Sequence, residues 1–230
     1  MTVYVMTGCP GSGKSLHLAQ MLLHSLDSGH PVICNFEANR DYLSEDALFL
    51  HLPNDELSPG KVEEFCAWYW SRPGAPEFRE DYITLCIDEA QIILNSRSWD
   101  SKSRAAWIRF FTLHRKLGLR ILISSQYVEM IDKQIRDSCI EYSIQHFKMN
   151  NFGFLGALID KLLRGRPLIR WGMKWYKKDT ISIETGTILG NSRLYGFYDT
   201  RKVFDSADVA TACESTGWFY PQLPAALREA

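Results

Sequence analysis

Gly8-Cys9-Pro10-Gly11-Ser12-Gly13-Lys14-Ser15 constrains this chain more than any other stretch. It fits G-x-x-x-x-G-K-[ST], a loop whose glycines let successive backbone N–H groups turn toward one anion. Its context carries the reading. Val3-Tyr4-Val5-Met6-Thr7 before it is a short apolar strand, and Leu18, Met21, Leu22 and Leu26 after it recur at helical spacing up to Gly29, a C′ stop. Strand, glycine turn and helix start together predict a phosphate-binding P-loop, with the helix N-terminus adding positive potential. The candidate binding set is Gly8, Cys9, Pro10, Gly11, Ser12, Gly13, Lys14, Ser15 and Leu16. Lys14 is expected to reach the β- and γ-phosphates and Ser15 to ligate Mg²⁺. The plain alternative is a glycine-rich turn that happens to precede a lysine.

The run Tyr82-Ile83-Thr84-Leu85-Cys86-Ile87 ends in Asp88-Glu89-Ala90-Gln91. An apolar strand that closes on two acids delivers them to the ligand crevice of a parallel sheet. Asp88 is the expected holder of the Mg²⁺ shell. Glu89 is the expected general base that aims the attacking water. Arg120-Ile121-Leu122-Ile123-Ser124-Ser125-Gln126 is a third apolar run ending in polar groups. Beside the other two strands, Gln126 would reach the water or the γ-phosphate, since positioning and electrostatics dominate phosphoryl transfer. Alone, a glutamine after a strand is more often a loop residue.

A chain of 230 residues with 46% hydrophobic side chains can bury one large α/β core. Its net charge of −1 gives no global bias toward nucleic acid, so any such contact must be local. The six cysteines lack C-x-x-C or zinc spacing, which points to reduced thiols. The N-terminus runs straight into the first strand without a signal-peptide pattern, and no apolar run approaches the ~18–20 residues of a membrane span.

Further along, Pro31–Phe36 reads as a second strand, and Lys61–Trp70 as a helix started by Ser58 and Pro59 within the segment 37–79. After a polar loop at 95–102, a helix is expected with Ala106, Phe110, Leu113 and Leu117 on one face and Gly118 as its stop. A short helix near Val128–Ile135 and an alternating strand around Ile140, Tyr142 and Ile144 follow. This alternation predicts a mostly parallel sheet flanked by helices. Between Phe147 and Lys178 the character changes. Lys148, Lys161, Arg164, Arg166, Arg170, Lys174, Lys177 and Lys178 are opposed only by Asp160, with Phe152, Phe154, Trp171, Trp175 and Tyr176 interleaved. Such a segment suits nucleic acid or an anionic membrane. It is also what a half-buried strand (Ile169, Trp171, Met173 and Trp175 alternating with Arg170 and Lys174) and an ordinary helix face (Leu155, Leu158, Ile159, Leu162) would give.

The ordered set of the P-loop, Ile87-Asp88-Glu89-Ala90-Gln91 with Arg97 beyond it, His114-Arg115-Lys116-Leu117-Gly118 before the Ser125-Gln126 strand, and Tyr198-Asp199-Thr200 resembles the Zot (zonular occludens toxin) family, the gene I assembly proteins of filamentous bacteriophages. The resemblance covers roughly residues 1–205, which it marks as the ATPase domain, with 206–230 as a tail. It implies a RecA-like P-loop NTPase of FtsK/HerA type with a C-terminal β-rich extension. It further implies an ATP- and Mg²⁺-dependent motor for virion assembly and extrusion, working at the cytoplasmic face of the host inner membrane. The implied partners are coat proteins, the packaged single-stranded DNA complex, and the membrane through a segment beyond residue 230. Motors of this type form homo-oligomeric rings, a hexamer among the options, in which an arginine completes the neighbour's site. Arg115 is the first candidate, followed by Arg97, Arg120 and Arg136. ATP over GTP rests on the resemblance, with the lack of an N/T-K-x-D pattern in the same direction.

Two other readings remain open on the residues. A DNA translocase or helicase would show strong stimulation of hydrolysis by single-stranded DNA. A nucleotide-gated scaffold would bind without turnover, against which Glu89 and Gln126 both speak. A small-molecule kinase fits less well, because the paired Asp-Glu favours water as acceptor.

Overall fold

The computed structural model describes residues 2–95, 101–177 and 182–198. Arg97, Lys178, Asp199, Thr200 and the 205/206 boundary with its tail lie outside the described residues. Strand β1 (Val3–Thr7) enters the glycine turn and helix α1 (Lys14–Asp27) leaves it. Gly29, at φ 74°, sits left-handed past the helix end and donates its N–H to the Leu26 carbonyl, the stop expected from its position. There follow β2 (Val32–Cys34), β3 (Phe49–His51), α2 (Pro59–Ser71), β4 (Ile83–Ile87), α3 (Ser101–Leu113) and β5 (Leu119–Ser124). The remainder is α4 (Lys133–Ser138), β6 (Tyr142–Lys148), α5 (Gly153–Leu162), β7 (Leu168–Trp175), β8 (Glu184–Leu189) and α6 (Ser192–Phe197).

All the described strands form one sheet in the order β3-β2-β4-β5-β1-β6-β7-β8. From β3 to β6 every pairing is parallel, and β7 and β8 close the far side antiparallel. β5 lies between β1 and β4, so the glycine loop, the acids and the end of the third strand emerge side by side at one edge. The central strands are buried on both faces, as a parallel sheet requires, and β4 is buried throughout. One face packs Phe65, Tyr69, Phe110 and Phe111 from α2 and α3; the other packs Leu18, Leu22 and Leu26 of α1 with Leu194 and Phe197 of α6. At about 25 cal/mol per Å² of apolar surface removed from water, each of these large side chains contributes about 1.5–3 kcal/mol.

Several expectations are corrected. The segment 37–79 holds a further strand, β3, paired in parallel with β2. Its apolar run Ala47-Leu48-Phe49-Leu50 is too short for periodicity to separate strand from helix. The buried face of α3 is Trp107, Phe110 and Phe111; Ala106 is exposed, and the chain tightens into a 3₁₀ turn at His114–Leu117 before the left-handed Gly118. The expected helix near 128–135 is split into a 3₁₀ turn, Val128–Met130, and α4. The alternating stretch 168–175 is an ordinary paired strand, with Ile169, Trp171 and Met173 on the α1 side. The Leu155/Leu158/Leu162 face of α5, by contrast, is exposed. The described cysteines are all free thiols.

Candidate functional site

The loop Gly8–Gly13 runs from the carboxyl end of β1 into α1 through three left-handed glycines, Gly8, Gly11 and Gly13. Two of them also lack room. A Cβ on Gly8 would stand 3.0 Å from the His146 carbonyl, and one on Gly13 would run into Ile169 Cδ1. Gly13 caps α1 without a side-chain hydrogen bond, and the first turn carries no acid, so the leading amides keep their positive end open. Ser12 Oγ is buried in the loop without a hydrogen-bond partner. An orphaned hydroxyl beside an uncapped helix start is a cradle that suits an anion. Lys14 is buried, its Nζ donating to the carbonyls of Gly8 (2.8 Å) and Cys9 (3.4 Å), so its charge is held inside the loop.

Asp88 follows β4 and is pinned from four directions. Its backbone N–H donates to Asn35 Oδ1 (2.7 Å), while Asn35 Nδ2 donates to its carbonyl (2.8 Å). Oδ1 accepts from Ser124 Oγ, and from the Glu89 N–H at 3.1 Å. Oδ2 accepts from Tyr198 OH at 2.8 Å and lies 3.5 Å from Ser15 Oγ. Burial, then the adjacent Asp88 carboxylate, pushes the Tyr198 hydroxyl far above its ordinary pKa, so it stays a donor. The Ser15 hydroxyl and Asp88 carboxylate thus meet as two hard oxygen donors. Among the described residues no group of three His, Cys, Asp or Glu could hold a metal by itself. Two such oxygens are donors of the kind a Mg²⁺ ion takes from protein when phosphate and water complete its shell.

Glu89 has φ 48°, an uncommon left-handed conformation for a non-glycine residue. It is fixed there by its N–H to Ser124 Oγ (3.0 Å) and by Ala90 N–H to the Ser124 carbonyl (2.9 Å). Gln91 Nε2 donates to the Glu89 carboxylate, while Gln91 Oε1 is buried without a partner. The surrounding bonds thus hold Glu89 in a sparsely populated conformation and fix the position of its carboxylate.

Beneath the loop lies a buried histidine pair. His146 Nδ1 donates to the Thr7 carbonyl (3.2 Å), which leaves its Nε2 to accept from His17 Nδ1 (2.8 Å); the tautomers are assigned from this network. The Trp171 ring packs on His17 at 5.0 Å. Burial, then the neighbouring His146, lowers His17 to about 3; burial, with Lys14 adding to it, lowers His146 to about 4. Both rings are neutral supports of the loop.

Lys14, Ser15, Asp88 and Glu89 are therefore brought to one edge of the sheet. Gln126 lies half-buried just past β5, where Ser125 N–H bonds to the Met6 carbonyl at the foot of the P-loop. Arg115 is not brought to its own chain's site. It lies before β5, at the opposite end of the sheet, exposed and ion-paired with Glu80 at 3.2 Å. Arg120 is tied to Ser25 and Thr84 under α1, and Arg136 pairs with Asp137. Asn35, Ser124, His17, His146 and the bond from Tyr198 went unnoticed in the sequence. Asn35 and Ser124 carry one usable signal, being the first polar residues after apolar strands of a parallel sheet.

The family model for zonular occludens toxin (Zot) matches residues 2–162. The chain belongs to the Zot family. A relative, the Gene 1 protein of Enterobacteria phage I2-2, is 28% identical over 214 residues, covering 90% of this chain and 58% of its own length. The chain therefore spans about three-fifths of that relative. Among solved structures, the N-terminal domain of zonular occludens toxin from Neisseria meningitidis aligns with TM-score 0.50 and 16% identity over 86% of this chain and 98% of that one. A DnaB-like replicative helicase aligns with TM-score 0.53 and 13% identity over 83% of this chain and 57% of that one. These likenesses establish the fold as a P-loop NTPase fold, α/β with a mostly parallel sheet. No helix among the described residues is long and apolar enough to cross a membrane.

Proposed function

We propose that this chain is the ATP-hydrolysing motor domain of a filamentous phage assembly machine, working at the cytoplasmic face of the host inner membrane. The observation that carries the catalytic reading is the meeting of Ser15 and Asp88 (3.5 Å) directly beside the conformationally fixed Glu89, at the mouth of the Gly8–Gly13 loop. Membership of the Zot family and the phage Gene 1 relatives support the biological setting.

In this reading, the loop amides, the Ser12 hydroxyl and the Lys14 ammonium bind the nucleotide phosphates. Lys14 leaves the Gly8 and Cys9 carbonyls to do so. Ser15 and Asp88 hold Mg²⁺, which when bound neutralises charge on the β- and γ-phosphate oxygens. Glu89, held by Gln91, takes the proton of the attacking water, and Gln126 reads the γ-phosphate from the next strand. The Tyr198 hydroxyl, bonded to the metal-side oxygen of Asp88, ties nucleotide state to α6, which packs along α1. A neighbouring subunit in a ring would supply the arginine, with Arg115 and Arg97 as candidates. The test is multiple-turnover phosphate release. Glu89→Gln should bind Mg·ATP like wild type and turn over at least ~100-fold more slowly; normal turnover would place the base elsewhere.

A further inference from the structure

Helix α5 carries its apolar face on the wrong side for a folded domain. Phe154 is 86% exposed, Leu162 78%, and Leu155, Leu158 and the preceding Phe152 are more than half exposed. Positions 154, 155, 158 and 162 fall on one helical stripe, and the buried Gly156 falls on the opposite one. Gly156 lies against the backbone of Met149 and Asn150, where a Cβ would collide with the Asn150 carbonyl. Asp160 also lies off the stripe, accepting from Asn150 Nδ2 at 2.8 Å. The helix is therefore docked by its small and polar side and presents its apolar side outward. A patch of this kind on a monomer marks an interaction surface.

Charge identifies the occupant. Lys161 in the last turn of α5 and Arg164 and Arg166 just beyond it are exposed, and among the described residues no salt bridge engages them. Phe and Leu on a short helix that ends in Lys161 and runs into Arg164 and Arg166 are the composition of an interfacial element, whose apolar stripe enters the acyl boundary while the cations meet anionic headgroups. Three of the four stripe residues are leucines and Phe154 is the single aromatic among them, whereas single-stranded nucleic acid takes a series of aromatic platforms for successive bases. A second copy would need an acidic rim around its own apolar patch, and the one acid of α5, Asp160, lies off the stripe with its carboxylate engaged by Asn150 Nδ2.

We propose that α5 is a membrane-surface element that inserts its Phe154–Leu155–Leu158–Leu162 stripe into an anionic lipid bilayer. The contact does not depend on nucleotide hydrolysis and is separate from any membrane-spanning segment. α5 begins just past the carboxyl end of β6, the edge that carries the P-loop, and Ile169 at the start of β7 packs on Gly13. The bilayer contact is thereby placed close to the nucleotide edge of the sheet.

The test is co-sedimentation of the 230-residue chain with vesicles of phosphatidylcholine alone or with 30% phosphatidylglycerol. Wild type should partition onto the anionic vesicles at least tenfold more strongly than onto neutral ones, since each Lys or Arg near the surface strengthens binding about fivefold. Raising ionic strength to 0.5 M should release most of it. Phe154→Asp with Leu158→Asp should lower partition at least tenfold while nucleotide binding and thermal unfolding stay as in wild type, because both side chains are already exposed. Lys161→Glu with Arg166→Glu should abolish the preference for anionic lipid. Absence of wild-type partition, or partition unchanged by the Asp variants, would overturn the proposal. So would loss of self-association in the Asp variants without lipid, which would make the occupant a second copy, or loss of oligonucleotide binding in them, which would make it nucleic acid.

Discussion

The histidine pair under the P-loop makes stability fall with acid in a calculable way. His17 and His146 are both buried and hydrogen-bonded to each other, and in the folded chain they titrate near 3 and near 4. In the unfolded chain both return to about 6.5. Between those values the unfolded state binds protons that the folded state refuses, so unfolding becomes easier as pH drops below about 6.5. At pH 5 each histidine favours the unfolded chain by about 2 kcal/mol relative to pH 7.5, or about 4 kcal/mol for the pair. For a chain of this size that corresponds to roughly 8–16 °C in Tm. His30, His51 and His114 are also lowered by burial and add loss in the same direction, so the pair must be isolated by substitution. His17→Asn with His146→Gln keeps polar partners in place without a titrating group. Urea unfolding at pH 7.5 and 5.0 should show the double variant losing about 4 kcal/mol less than wild type over that interval, whatever its stability at pH 7.5. Equal losses in the two proteins would show that the rings are not held neutral, and the packing of His17 against Trp171 would need another explanation.

Other outcomes follow from the same geometry. Gly13→Ala should abolish nucleotide binding and lose roughly 1–3 kcal/mol of stability. Adding Ile169→Ala, which clears the collision, should not restore binding because the left-handed φ of 101° remains; isothermal titration checks both. Tyr198→Phe removes the donor on the metal-side oxygen of Asp88, so half-maximal binding should need less Mg²⁺ while metal-free nucleotide affinity stays the same. A magnesium titration showing no shift would detach Tyr198 from the metal site.

What the sequence disclosed was whatever is encoded locally. The P-loop needs glycine at positions where φ turns positive, and the apolar run into Asp88 and Glu89 is a buried parallel strand meeting its crevice; both are written in adjacent residues. Asn35 was not legible, because its partner Asp88 stands 53 residues away and only the β2–β4 pairing brings them together. Ser124 was passed over for Gln126, although the hydroxyl, not the amide, bonds Asp88 and the Glu89 N–H. The histidines are far apart in sequence and meet through the β1–β6 pairing. Helix α5 makes the complementary point. Apolar spacing reveals that a helix has a face, but only the fold decides whether that face looks inward, and here Gly156 turns it out.

The central claim is that the Gly8–Ser15 loop is a nucleotide-phosphate site whose essential cation is Lys14. Calorimetric titration of Mg·ATP into wild type and Lys14→Ala tests it most directly. Among the described residues the lysine bonds only to the Gly8 and Cys9 carbonyls, so its removal should leave the thermal unfolding midpoint near that of wild type. Saturable binding by wild type and none by a folded Lys14→Ala is the predicted result. Wild-type affinity in the variant would contradict the account.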